Sequence, residues 1–524
     1  MIFILNDFST FIFMKRILVF IVSFYCVASF SQVTVERNAQ TIGHEKYLGQ
    51  KSGYIGDDDS FYYVFLERSH RENSNQIQKF SKKNNQLIYS VPLNSTFDFI
   101  PILLDKYIYA VYYDYNKKEK RWEISCRKIE KETGMMSDEI LVDTYDSPKE
   151  TDNKLFHYFF GDNLLIGYEN VEEKKPQNTH IRIFHLADFG KLSEKTIPTK
   201  INGAEIFTYQ FSINKGGDIA FLYYKTKNQK ELNLFRAIRY PYLNYSSSGY
   251  SGNQIKDMVM YQAPSIGFIS AQDSIVVTKQ LNVPDTVYVV PYNIRINYEN
   301  NIVNLSGIYK GRCTGSYKNC DAGFFNIVLS PNTIEKELFQ PFIISKKIKE
   351  NLSGNYELLD TIIDKGNIYS IYQLYFISAG MDYRKSMIVS KFNIASFSYE
   401  WMRVIPYSLE NQAIYFGLDI GVNAFVYEDN LYLLHLDNPE NRNNINEFNP
   451  NSVRSFKLKE ADLVYEKIDR NGIVSKTTLA SNSDYEFACP GGKTILLDKN
   501  KILLFIRGEN ENGGYDKYNA VIVK

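Results

Sequence analysis

The sequence predicts an all-β chain folded as a β-propeller of about eight, alternatively seven, four-stranded blades, closed by the N-terminal strand pairing into the last blade. Three observations carry this expectation. A polar turn that runs straight into a strand, as in Glu428-Asp429-Asn430-Leu431-Tyr432-Leu433-Leu434-His435-Leu436, recurs eight times, with the other copies starting at Asp57, Asp105, Asp162, Gly217, Glu299, Lys365 and Lys499. A short Asp/Asn/Gly turn followed by aromatic and β-branched residues is the signature of a tight hairpin. Between copies, the chain adds a polar connection, a third strand, a turn and a fourth strand. The last copy is one strand short, while a lone strand stands at the other terminus. Four-stranded repeats that end incomplete with the spare strand elsewhere indicate a propeller, in which closure pairs sheet edges that are otherwise open.

The elements follow in order. The spare strand is Val33 to Ile42. The first unit runs through Phe61 to Phe65, Gln76 to Phe80 and Leu87 to Val91, and the second through Tyr107 to Tyr113, Trp122 to Ile129 and Glu139 to Val142. Leu164 to Tyr168, His180 to Leu186 and Leu192 to Ile197 make the third. Phe207 to Tyr224 and Leu232 to Arg239 supply three strands of the fourth. A competing turn at Ala271-Gln272-Asp273-Ser274-Ile275 leaves the register open from about Tyr240 to Tyr298. Phe324 to Leu329 and Ile334 to Phe339 restore it, followed by Ile368 to Phe376, Met387 to Phe392, Tyr399 to Ile405, Leu463 to Ile468 and Ile473 to Leu479. Thr494 to Leu497, Lys501 to Ile506 and Tyr518 to Val523 end the chain. The alternative fold is a pair of smaller propellers or sandwiches in tandem.

Composition agrees with half-buried strands. Forty-one Tyr and thirty-five Phe stand against two Trp, and aromatics pack well on a pleated surface. Sixty basic residues balance sixty acidic ones, so the chain carries no electrostatic footprint for a nucleic-acid backbone or an anionic membrane. Nucleic acid is not expected as a partner.

Met14-Lys15-Arg16, the apolar run Ile17 to Val27 and the small residues of Ser29-Phe30-Ser31 form a secretory signal cleaved before Gln32. Residues 1–13 read as an upstream extension, and 32–524 as a single propeller domain. The rest of the chain holds no apolar run of membrane-spanning length, so the expected location is secreted, periplasmic or in the cell envelope. Cys313 and Cys320 flank a hairpin loop and are candidates for a disulfide in an oxidising compartment; two free thiols are the alternative. Thiol and imidazole ligands at zinc spacing are lacking, and neither a metal nor a cofactor is expected.

In this blade pattern the chain resembles the secreted β-propeller proteins of bacteria over most of residues 33–524. The resemblance rests on repeated blades rather than on a diagnostic motif.

Catalytic motifs fail on inspection. His44-Glu45-Lys46-Tyr47-Leu48 lacks the second His of a zinc-protease helix, and Gly492-Lys493-Thr494 follows Phe487 where a phosphate loop requires Gly. His180 and His185 fall on opposite faces of a strand. Asp57-Asp58-Asp59 lacks the remaining ligands of a calcium loop and reads as a solvated turn. Ser246 to Gly252 has no nucleophile elbow and reads as a flexible loop. What remains is geometry: connections between second and third strands share one end of a propeller, and long loops on a rigid scaffold are where binding resides. Those connections are Asp114 to Arg121, Glu169 to Asn178, Lys225 to Lys230, Lys310 to Ala322, Ser378 to Lys385, Asp437 to Asn451 and Gly508 to Lys517. Arg121, Tyr383, Arg384, Asp437, Arg442 and Tyr515 are the candidate contact residues. The leading expectation is a non-catalytic exported protein that binds a protein or a glycan through this face. The alternatives are a carbohydrate-active enzyme, a glycoside hydrolase or lyase using Asp382, Asp437 or Asp516, and a structural envelope component.

Overall fold

The computed structural model describes residues 34–45, 52–66, 75–93, 99–146, 153–160, 163–170, 179–197, 200–201, 204–214, 216–226, 264–272, 276–284, 287–289, 294–299, 301–311, 322–342, 355–378, 381–411, 422–441, 461–481, 487–490, 495–498, 501–509 and 515–523. Regular structure among them is all strand, apart from one 3-10 turn at Pro439–Asn441.

Antiparallel sheets succeed one another along the chain at 52–93, 99–146, 153–197, 200–280, 287–341, 355–411, 423–481 and 487–523, the last joined by Thr34–Glu45. Among the described residues, apolar side chains of the first six sheets each pack on the sheet that follows. Ile77 and Val91 meet Ile108 and Ile129; Ile124 and Cys126 meet Leu164 and Phe184; Ile181 and Ile183 meet Ile206 and Phe221. Further on, Leu222 and Ile266 join Val303 and Phe325, Ile308 and Phe324 join Tyr372 and Ile388, and Val389 and Ile405 join Leu431 and Leu463. Sheets stacked face to face in chain order make an all-β propeller. Second strands such as Tyr107–Asn116 and Asn430–Asp437 lie between two neighbours, which is why their sequences read as nearly unbroken apolar runs. Fourth strands such as Leu87–Leu93 alternate between buried and exposed positions and form the wet outer edge.

The expected propeller of about eight, alternatively seven, four-stranded blades is corrected. Only five of the described sheets have four strands, and three have five. The extra strands have local causes. Lys200–Ile201 adds a two-residue strand at the edge of the fourth sheet. In the fifth, Val287–Val289 and Arg295–Glu299 pair in succession with Ile302–Gly311, and in the last, Phe487–Pro490 and Ile495–Asp498 do the same with Lys501–Glu509. Thr34–Glu45 lies antiparallel to Tyr515–Val523 as an outer strand of the last sheet. The third strand of the fourth sheet is Ser265–Ile269, not Leu232 to Arg239, which lies outside the described residues. The competing turn is the corner after that strand: the Ala271 amide donates to Asp218 Oδ1 at 2.8 Å, tying it to the first hairpin of its own sheet.

The recurring hairpin turn takes the expected form. Between Tyr427 and Asn430, Glu428 and Asp429 have φ of 48° and 61°; between Asp364 and Asn367, Lys365 and Gly366 have 44° and 77°. Two successive positive φ values give the turn whose twist matches paired strands. Asp58 does the same work in the first sheet, accepting from the Ser60 and Phe61 amides at 3.1 and 2.9 Å. Burial opposes ionisation of its carboxyl, but hydrogen bonds from Tyr63, these amides and Lys131 hold it below the ordinary value.

A second repeat links neighbouring sheets. A third-strand lysine stands directly opposite a second-strand tyrosine in Tyr63 and Lys79, Tyr109 and Lys128, Tyr369 and Lys391, and Tyr432 and Lys467. Lys79 then donates to the Lys131 carbonyl and Lys128 to the Ala187 carbonyl, each at 2.7 Å and each in a corner of the following sheet. Arg403 reaches the Gly472 carbonyl in the same sense. Lys128 lies 5.6 and 5.3 Å from the ring centres of Tyr109 and Phe189. Lys128→Met is expected to cost about 1–2 kcal/mol, one charged hydrogen bond and the ring contacts, read by urea denaturation.

Cys313 and Cys320 lie outside the described residues, as do the signal segment, Gly492-Lys493-Thr494 and Ser246 to Gly252. Cys126 is a free, buried thiol, and burial pushes it up to about 12. Since the thiolate is the reactive form, peptide mapping after iodoacetamide treatment should find Cys126 unmodified in folded protein and labelled in urea.

Candidate functional site at the variable end of the propeller

First-to-second connections span two residues, as at 365–366 and 428–429, up to five, at 214–218. Second-to-third connections, at the opposite end, span from two residues at 379–380 to thirty-eight at 227–264. Third-to-fourth connections share the first end and span four to nine residues, so the widest variation falls at the end that carries the candidate residues.

Their placements differ from the expected loops. Arg121 pairs with Asn116 across a four-residue turn at 117–120, so Asp114 to Arg121 is a strand-extending hairpin rather than a long loop. Its Nε and Nη2 both lie 2.9 Å from Glu123 Oε1, which also accepts from Asn116 at 3.0 Å. These bonds hold the Glu123 carboxyl below its ordinary value. Tyr383 and Arg384 lie within the strand Met381–Asn393, paired on both sides with Phe376 and Glu410 and with Tyr375 and Leu409. Tyr515 starts the strand Tyr515–Val523, opposite Glu509 and Glu45. Asp382 and Asp516 are likewise strand residues. Arg442 lies outside the described residues. The backbone registers put these positions near the variable end of three different sheets and do not gather them at one point.

Asp437 is wholly buried. It ends the strand Asn430–Asp437 and anchors the connection that follows: its Oδ1 accepts from the Asn438 amide and from Asn441 Nδ2, both at 2.8 Å. Its Oδ2 pairs with Lys476, whose side chain is 2% exposed. Lys476 Nζ also lies 3.4 Å from Glu466 Oε1 and 3.4 Å from the Asn441 carbonyl. Glu466, fully buried, faces His435 Nε2 at 3.3 Å.

His435 has no exposed surface and meets the Tyr407 ring edge-on at 5.3 Å. Its Nδ1 lies 3.1 Å from the Leu436 carbonyl, an oxygen that can only accept, so Nδ1 carries a proton. The arrangement is a closed electrostatic set that fixes the root of the 438–461 connection, with no face open to a substrate.

Sequence reasoning singled out Asp437 and missed His435, Glu466, Lys476 and Asn441. A signal exists: His435 and Asp437, and Asp462 and Glu466, sit at even spacing on strands whose other same-face residues, Leu431, Leu433, Val464 and Ile468, are apolar. Among the described residues, no three His, Cys, Asp or Glu side chains are placed to hold a metal ion, and no helix is long and apolar enough to cross a membrane. His180 and His185 lie five apart in Thr179–His185, with His185 Nδ1 3.3 Å from Asp188.

No family model matches the chain, and no curated protein does. Among solved structures, the β-propeller domain of the Trilobed protease from Pyrococcus furiosus aligns at 10% identity over 84% of this chain and 98% of its own, with a TM-score of 0.36. The polysaccharide lyase Uly1 aligns at 8% identity over 90% and 99%, TM-score 0.36. An acylaminoacyl peptidase from Pyrococcus horikoshii aligns at 10% identity over 89% of this chain and 59% of its own, TM-score 0.35. These likenesses bring no residue role to this chain, whose propeller is read from its own strand pairing.

Proposed function

We propose that the protein is an exported, non-catalytic recognition propeller that binds a protein or a glycan through the end carrying the second-to-third connections. The observation behind this reading is the contrast in connection length, two to nine residues at one end against two to thirty-eight at the other. A scaffold that holds one end constant while varying the other resembles other binding scaffolds in which loops are free to change. The burial of Asp437 removes that residue from the carboxylates of the enzyme alternative, because a carboxylate paired with Lys476 and closed from solvent is unsuited to proton transfer on a substrate. Arg121, Tyr383, Arg384, Arg442 and Tyr515 remain the proposed contact positions, with Asp437 holding the connection from beneath.

The test is a panel of glycans, polysaccharides and envelope proteins presented to the chain from Gln32, with product analysis on every ligand that binds. Binding without turnover, weakened by alanine at the five contact positions, is the expected result. Turnover of any bound polymer would replace this reading with the enzyme. Binding that survives all five substitutions would move the site elsewhere.

A further inference from the structure

The hairpin formed by Tyr107–Asn116 and Arg121–Glu130 turns at Lys117, Lys118, Glu119 and Lys120, all of them exposed. The turn is built rather than loose: the Glu119 amide donates to Asn116 Oδ1 at 3.0 Å, and Lys120 sits at φ 52°. Residues 117–121 hold four cations against one anion, a local charge of +3 on a chain whose formal net charge is zero. Arg121 is already engaged by Glu123, whereas no ion pair is formed by Lys117, Lys118 or Lys120 among the described residues.

Directly behind this cationic tip, Tyr115 and Trp122 face each other across the two strands with ring centres 5.4 Å apart at 58°. Trp122 is opposite Tyr145 on the next strand, so three aromatic rings run in a row across the sheet from its variable end. Tyr115 and Trp122 are half-buried, and Tyr145, beside Trp122, is buried. A row of rings that ends at the surface suits the flat apolar face of a sugar, which stacks on aromatic side chains, and three free ammonium groups beside it suit the anions of an acidic sugar.

We infer that this hairpin is a subsite for an anionic polysaccharide, with uronate or sulfate groups on Lys117, Lys118 and Lys120 and a sugar ring against Tyr115 and Trp122. The inference rests on the proposed recognition function and narrows its ligand class. The alternating cation and ring also separate it from simple polyanion adhesion, since charge alone needs no aromatic row.

The experiment measures binding of the chain from Gln32 to polygalacturonate and dextran sulfate, with neutral dextran and single-stranded poly-dT as controls. Polygalacturonate or dextran sulfate is expected to bind, with affinity falling as salt rises, and neutral dextran is expected not to. The charge reversal K117E/K118E/K120E touches only exposed side chains, so it should leave the melting temperature unchanged while weakening binding at least tenfold. Trp122→Phe, which keeps an aromatic filler, should weaken polygalacturonate binding severalfold without changing the salt slope.

Poly-dT binding as tight as polygalacturonate would overturn the inference in favour of general polyanion adhesion. Equal binding by the charge-reversal variant would overturn it while leaving recognition at another part of the end intact. Absence of binding by any acidic glycan, together with capture of a neutral glycan or a protein by the same end, would reject the ligand class alone. A chain that binds nothing in either panel would remove the recognition function as well.

Discussion

Lys476→Met should lower the unfolding free energy by about 3–5 kcal/mol, because it leaves two buried carboxylates without their shared cation. Lys476 Nζ sits between Asp437 and Glu466, both without exposed surface, while its own side chain is 2% exposed. Water cannot replace the ammonium, and among the described residues no other lysine or arginine pairs with either carboxylate. The measurement is the urea midpoint with an unchanged m-value. The companion variant K476M/D437N/E466Q should recover most of the loss, since amides of the same shape no longer need a counter-charge. An unchanged midpoint for Lys476→Met would show that the two carboxylates do not depend on it.

Arg182→Met is expected to cost about 2–3 kcal/mol, less than Lys476 because its site is still partly wet. Arg182 reaches from the third sheet to the second. Its Nη1 lies 2.8 Å from both oxygens of Asp143 and 3.0 Å from the Thr144 carbonyl, and its Nε lies 3.1 Å from Glu194. The paired side chains of Arg182 and Asp143 are 19% and 15% exposed. A double-mutant cycle with Asp143→Asn isolates the pair from the packing of the arginine stem, and the coupling should account for about half of the total. Coupling near zero would mean that Arg182 acts through its stem and its contact with Glu194.

Both effects involve residues that a linear reading cannot bring together. Asp437 and Asp462 are directly paired across strands although twenty-four positions intervene. Local rules read the hairpin turns well, because φ-positive turns require a small set of residues and Glu428-Asp429-Asn430 and Lys365-Gly366-Asn367 supply them. Local rules failed where polar composition suggested loops. Met381-Asp382-Tyr383-Arg384-Lys385 lacks an aliphatic run, yet it pairs with strands on both sides, so neighbouring strands override a weak intrinsic preference. The same happened at Asp114 to Arg121, where a charged hairpin tip was read as the whole connection.

The irregular middle failed for a different reason. Thirty-eight residues separate the second and third strands of the fourth sheet, so the apparent strand next in sequence is not the strand next in space. The enclosed site was partly legible, through the even spacing of His435 with Asp437 and of Asp462 with Glu466. Lys476 was not, since only the register of Val474–Ser481 against Asp462–Ile468 sets it opposite Glu466.

The lysine and arginine links between sheets have a further consequence for cooperativity. Each of Lys79, Lys128 and Arg403 bridges only to the sheet that follows it, so the array behaves as a one-dimensional chain of nearest-neighbour couplings. In such a chain, weakening one junction does not lower every sheet equally; it divides the whole into two blocks that melt apart. Lys128→Met should therefore broaden the calorimetric transition more than it shifts its midpoint, and amide exchange should accelerate first in the strands on either side of that junction.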